Sequence, residues 1–111
     1  MSASKVSAEK KSLKESIAIR DAVLRLNKNR DFIAVIEKAF MVDDCARYAR
    51  ISGLSSRTEE EREDALNKSQ AAVHLGEYLH MKVMLGNAAE GSLNSLIESE
   101  AEYVADNREE D

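Results

Sequence analysis

The chain contains no proline, and the stretch from Thr58 to Val104 reads as one long helix. Thr58 is followed three residues later by Glu61, which is the spacing of a capping box at a helix start. Beyond this cap, small and apolar residues recur at helical steps of four and seven, not at the alternating spacing of a strand. These residues are Ala65, Ala72, Leu79, Val83, Leu93, Ile97, Ala101 and Val104. The pattern predicts a long C-terminal helix with an apolar stripe.

The length of this stripe raises the question of what covers it. At about 1.5 Å per residue the helix would run roughly 70 Å, whereas a globular chain of this size has a radius of gyration of only about 13 Å. Either the helix breaks, for which Gly86-Asn87 has the best helix-ending chemistry, or the stripe meets another copy or a partner. The residues that we expect to make such contacts are Leu79, Val83, Leu93 and Ile97.

Composition favours an all-α fold, because turns and hairpins depend on breakers and this chain has only four glycines besides lacking proline. A chain of 111 residues predicts a single helical domain, spanning residues 1–111. We expect residues 1–6 and 106–111 to be mobile ends. The predicted architecture is a helical hairpin or small bundle with one long C-terminal helix.

A first helix is predicted from about Ser7 to Asn27, and its apolar residues form two sets. One set is Leu13, Ile17 and Leu24, and the other is Ile19, Ala22, Val23 and Leu26. A helix that is apolar on two sides is usually buried on both. This favours contacts beyond a single neighbour within the chain.

A second helix follows a polar turn and is capped by Asn29 or Asp31. Its residues at i, i+4 and i+8 predict the core of the chain: Phe32, Ile36 and Phe40. Asp43-Asp44 favours the start of a new short helix. Gly53 is the predicted residue just beyond the end of that helix.

Charge is distributed unevenly along the chain. Residues 1–30 carry eight basic and three acidic side chains, whereas residues 58–111 carry four basic and fourteen acidic ones. The basic segment, residues 5–30, offers contacts to phosphates, but it lacks interleaved aromatic residues, so nucleic-acid binding is a secondary hypothesis. We expect no membrane span, because the longest apolar run, Phe32 to Ile36, is far shorter than a bilayer requires.

Two short motifs were weighed for chemistry. Glu77 and His80 have the Glu-x-x-His spacing of di-iron helical bundles, but the chain has only two histidines and lacks the second pair. Cys45, the only cysteine, stands beside Asp44 instead of a base, so an inert thiol in a reducing compartment is the better interpretation. We therefore expect no enzyme activity, no metal and no cofactor.

Two segments carry a resemblance to a known group of proteins. The stretches 20–26 (RDAVLRL) and 29–36 (NRDFIAVI) resemble small helical proteins encoded among the structural genes of tailed bacteriophages. The similarity extends through residues 37–47 and 86–90, about half of the chain, whereas the acidic run 59–64 does not match. The resemblance implies a virion component or assembly accessory that works in many copies, with no catalytic residues.

The sequence thus favours a non-enzymatic structural or assembly-accessory protein of a tailed phage, acting as a self-associating helical module. Its expected partners are further copies or other virion proteins, and its expected location is the virion or the host cytoplasm. Two alternatives stay open. One is a small acidic regulatory protein that binds and inhibits a host protein. The other is a packaging factor that binds nucleic acid through residues 5–30.

Overall fold

The computed structural model describes residues 3–110, with side chains through residue 107. Every regular element in this range is helical, which confirms the predicted all-α class with a long C-terminal helix. The elements are α1 (Ala3–Leu26), α2 (Arg30–Phe32), a π-helix (Ile33–Asp44), α3 (Cys45–Ser52) and α4 (Glu59–Glu110). The α2, π and α3 segments follow one another without a gap, and we call them together the second helical arm.

The long helix α4 begins where its cap predicts and does not break at glycine. The Glu61 amide donates to Thr58 Oγ1 at 3.1 Å. The Glu61 carboxylate accepts from Arg57 at 3.2 Å. The helix continues through Gly86, which is buried. Because a glycine inside a helix costs only about 1 kcal/mol, packing at this position outweighs the loss.

The first helix is longer at its start than predicted. It begins at Ala3 and not near Ser7, since no glycine or proline between them opposes helix formation. Residues 3–6 and 106–110 are helical, while residues 1, 2 and 111 of the predicted mobile ends lie outside the described residues. The turn after α1 ends at Asn29, whose side chain accepts from the Phe32 amide at 3.0 Å and so caps α2.

The middle of the second helical arm is a π-helix because of its apolar spacing. Phe32, Ile36, Phe40-Met41 and Cys45 recur about every 4.3 residues, closer to the about 4.4 residues per turn of a π-helix than to the 3.6 of an α-helix. The Cys45 amide accordingly donates to the carbonyl of Phe40, five residues earlier. Lys38 pairs with Asp43 at 3.3 Å, also five residues away. In an α-helix these two side chains would point about 140° apart.

The arm then continues past the acidic pair into a short α-helix. The predicted short helix after Asp43-Asp44 is confirmed as α3 (Cys45–Ser52), although the π-helix passes directly into it without a gap. Gly53 ends α3, and its amide donates to the carbonyls of Arg50 and Ile51. Its φ of −98° lies outside the left-handed region, so this cap does not require glycine.

The helices form two compact units. Unit 1 combines the part of α1 up to Ala22 with the part of α4 from Lys82 onward. Unit 2 runs from Val23 to Met81 and contains the second helical arm with the first part of α4. Each unit is a helical pair with its own apolar seam.

Candidate interaction surface

In unit 1, two ion pairs fix how α1 lies against α4. Lys10 Nζ lies 2.6 Å from Glu100 Oε2, and Arg20 Nη1 lies 2.5 Å from Glu90 Oε2. From the first ion pair to the second, the residue number rises by ten on α1 and falls by ten on α4. The two helices are therefore antiparallel.

Arg20 is the buried charge of this seam. Its residue surface is only 9% exposed, and besides Glu90 its side chain donates to Asp21 at 3.0 Å and to Asn87 Oδ1 at 3.1 Å. The Glu90 carboxylate, followed by that of Asp21, raises the pKa of the Arg20 guanidinium above its ordinary value. A buried charge needs such partners, because breaking the set leaves it uncompensated. Arg20 thus fixes the register of α1 on α4.

Gly86 makes this arrangement possible. A Cβ built on Gly86 would overlap Arg20 Cβ and lie 2.7 Å from Arg20 Cγ and 2.8 Å from Arg20 Cδ. The stem of Arg20 therefore crosses directly over the glycine backbone. Sequence reasoning placed Gly86 as a candidate break, whereas its role is to admit a neighbouring side chain.

Unit 2 is built on a second antiparallel seam, between the second helical arm and the first part of α4. Cys45 Sγ donates to the Ser69 carbonyl at 3.5 Å. The ring of Tyr48 has the Lys68 ammonium 5.5 Å from its centroid. Lys68 is also paired with Asp64 at 2.8 Å, and this carboxylate raises the Lys68 pKa.

Most of the residues predicted for the core and for contacts are half-buried. Phe32, Ile36 and Phe40 are half-buried, as are Leu79, Val83 and Leu93. Ile97 differs, since 48% of its surface is exposed. Leu79, Val83 and Leu93 lie on the same helix face as the buried Ala72 and Ala89, so most of the predicted contact stripe is the seam within the chain. Ile97 lies beside that seam and is the predicted contact residue that the chain leaves most open.

The buried core is thin. The buried hydrophobic residues among those described are Val23, Ala65, Ala72 and Ala89, and no large side chain in this range is fully buried. In the same part of the chain fifteen large hydrophobic side chains are exposed, and Val35 and Val42 are the most exposed aliphatic ones at 61% each. Single exposed apolar residues are ordinary on a soluble protein. This ratio of exposed to buried apolar side chains is what makes the surface a candidate for association.

The motifs considered for chemistry are not assembled into a metal site in the described residues. Within this part of the chain, no group of three or more histidine, cysteine or acidic side chains is placed to hold a metal ion. Glu77 lies 3.8 Å from His74 on an exposed helix face. The Cys45 thiol donates a hydrogen bond to the backbone carbonyl of Ser69. Lys10 and Arg20 of the basic segment are engaged in ion pairs with α4, which leaves fewer charges for phosphates.

Sequence reasoning missed the roles of Arg20 and Gly86, although one signal for Arg20 was present. Arg20 follows Leu13 by seven residues and Ile17 by three, which places it on the seam face of α1. A charged residue at such a position predicts a partner across the seam. The choice of Glu90 and Asn87 as those partners depends on the helix register, which only the structure supplies.

No family model, no curated protein and no solved structure matches this chain. In the range that the structure describes, none of the helices combines the length and apolar character needed to cross a bilayer.

Proposed function

We propose that this protein is a self-associating helical module that serves as a structural or assembly-accessory component of a tailed-phage particle, without enzymatic activity. The carrying observation is the imbalance of apolar surface in the described residues: fifteen large hydrophobic side chains are exposed there, while three of the four buried hydrophobic residues are alanines. A small helical domain gains little free energy from so thin a core. Burial of exposed apolar side chains against further copies would add to it at about 25 cal/mol per Å².

The phage part of the proposal rests on the resemblance of residues 20–26 and 29–36 to proteins of phage structural gene clusters. These segments lie on α1 and on the second helical arm, where Val23 is buried and Phe32 and Ile36 are half-buried. They act as packing segments, which suits a protein whose role is to assemble with others. The proposed location is accordingly the virion, or the host cytoplasm during assembly.

Two measurements test the two parts of the proposal separately. Light scattering coupled to size exclusion, from micromolar to millimolar protein, tests self-association, and a mass of 12.3 kDa at every concentration would overturn it. Mass spectrometry of purified particles from a phage that encodes the chain tests the virion assignment. Its absence both from mature particles and from assembly intermediates would overturn that assignment.

The alternatives predict different outcomes in these assays. A packaging factor would retain DNA in a salt-dependent manner through residues 5–30. An acidic regulatory protein would form a stoichiometric complex with one host protein and would be absent from particles. Either result, combined with a monomeric chain, would replace the present proposal.

A further inference from the structure

One edge of the α1–α4 seam in unit 1 forms a groove of about 170 Å³ that combines apolar, polar and charged side chains. Its lining is Ser12, Glu15, Ser16 and Ile19 from α1, with Lys82 and Leu85 from α4. Ile19 and Leu85, the two large apolar side chains of this lining, are each 49% exposed. One turn beyond Leu85, a shallow depression on α4 is lined by Ala88, Ser92 and Ser95, with Glu9 of α1 at its edge. The chain itself does not cover this side of unit 1.

We propose that this groove is covered by the same groove of a second copy, related by a two-fold axis that runs along the helices. Each α1 then lies antiparallel on the α4 of the other copy, and the two helical pairs form a four-helix bundle. This inference rests on the self-association proposed above and names the surface that carries it.

Charge complementarity favours a second copy in this orientation. In unit 1, the α1 segment 3–22 has five basic and three acidic side chains, whereas the α4 segment 82–107 has one basic and five acidic ones. Placing α1 of each copy on α4 of the other puts segments of opposite net charge side by side at every helix contact. The rival two-fold arrangement would set α1 on α1 and α4 on α4, where like charges meet at a cost.

The helix directions favour the same arrangement. α1 and α4 are antiparallel within each copy, and a two-fold axis along the helices makes each new α1–α4 contact antiparallel as well. Antiparallel neighbours bring opposite ends of the helix dipoles together. This is also the neighbour relation of ordinary four-helix bundles.

The face is large enough for a specific dimer. About 20 residues of each helix give a length of about 30 Å, and two helices side by side give a width of about 20 Å. The covered face is then about 600 Å² per copy, or about 1,200 Å² in total, at the lower end of specific protein interfaces. We therefore expect a dimer whose population depends on protein concentration.

Sedimentation equilibrium of the full chain tests the proposal with two groove variants and one control. Ile19→Asp and Leu85→Asp each place a charge at one of the two large apolar side chains of the groove. The control is Met84→Asp, because Met84 is equally on unit 1 and exposed at 58% but does not line the groove. We expect a dimer for the wild type and the control, and at least a tenfold weaker dimer for both groove variants. Circular dichroism should show unchanged helix content in both groove variants.

The outcomes separate this inference from the proposed function. If the wild type self-associates but the groove variants leave its dissociation constant unchanged, the groove is not the interface, while self-association stands. If the groove variants dissociate a trimer or larger ring, the two-fold pairing is wrong. A wild-type chain that is monomeric at millimolar concentration overturns both.

Discussion

Replacing Gly86 with alanine tests whether the crossing of Arg20 over α4 sets the packing of unit 1. The added Cβ would overlap Arg20 Cβ and lie 2.7 Å from Arg20 Cγ. The obstructing atoms belong to the root of the Arg20 side chain, so a rotamer change at its far end gives no relief. The two helices must instead separate by about 1 Å to restore carbon contacts of about 3.5–4.0 Å.

The cost follows from two opposing terms. Alanine in place of glycine stabilises a helix by about 1 kcal/mol. Overpacking a closely packed seam typically costs about 1–3 kcal/mol. A separation of about 1 Å also weakens the contacts of Leu13, Ile17 and Leu93 along the seam by a quarter to a half. We expect a net destabilisation of about 1–2 kcal/mol, which lowers Tm by about 4–8 °C per kcal/mol.

Gly76→Ala is the matched control in the same helix. The Cβ built at Gly76 lies 2.9 Å from Met41 Cε, the far end of a flexible side chain that one rotation removes. We expect Gly76→Ala to be neutral or to gain up to about 1 kcal/mol. Urea unfolding followed by circular dichroism, at one fixed protein concentration, measures both variants. A Gly86→Ala chain that is as stable as Gly76→Ala would refute the reasoning on Arg20 and Gly86.

Three further predictions concern local features. Thr58→Ala removes the acceptor of the Glu61 amide and should cost about 1 kcal/mol in urea unfolding, while Thr58→Ser should retain most of the stability. Val23→Ala, at a site only 5% exposed, should lower the free energy of unfolding by about 2 kcal/mol. Its control is Val35→Ala at an exposed site, which should change the free energy of unfolding by less than about 0.5 kcal/mol in the same assay. Because Asp64 raises the Lys68 pKa above 10.5, the stabilisation from this pair is present below pH 10.5 and is lost as pH rises through the folded-state pKa. Urea unfolding measured at a series of pH values from 9 to 12 should show a steeper loss of stability with rising pH for the wild type than for Lys68→Met. Parallel curves for the two chains would show that the pair contributes nothing.

Local chemistry was enough to predict the helix class and several helix ends. The lack of proline, the Thr58 cap and the Asn29 cap each act within one turn of the chain, so they can be read without tertiary information. The start of α1 was misplaced because no cap marks it. Gly53 ends α3 as a breaker should, although its backbone conformation is one that any residue adopts.

The π-helix shows why other features required the structure. Apolar residues at i, i+4 and i+8, such as Phe32, Ile36 and Phe40, fit an α-helix with a slowly drifting face as well as a π-helix with a nearly straight one. The distinction appears only when Met41 and Cys45 are included, because the average spacing then exceeds four residues. Acidic residues at positions 43 and 44 suggested a boundary, and the π-helix does give way to α3 there, but the chain stays helical across it.

The same limit of sequence-based reasoning applies to the interaction surface. The stripe on α4 was detected correctly as apolar, but a periodic pattern does not say whether a neighbour in the chain or another molecule covers it. The structure assigns Leu79, Val83 and Leu93 to the seam side of the helix, and it leaves Ile19 and Leu85 open on a different side.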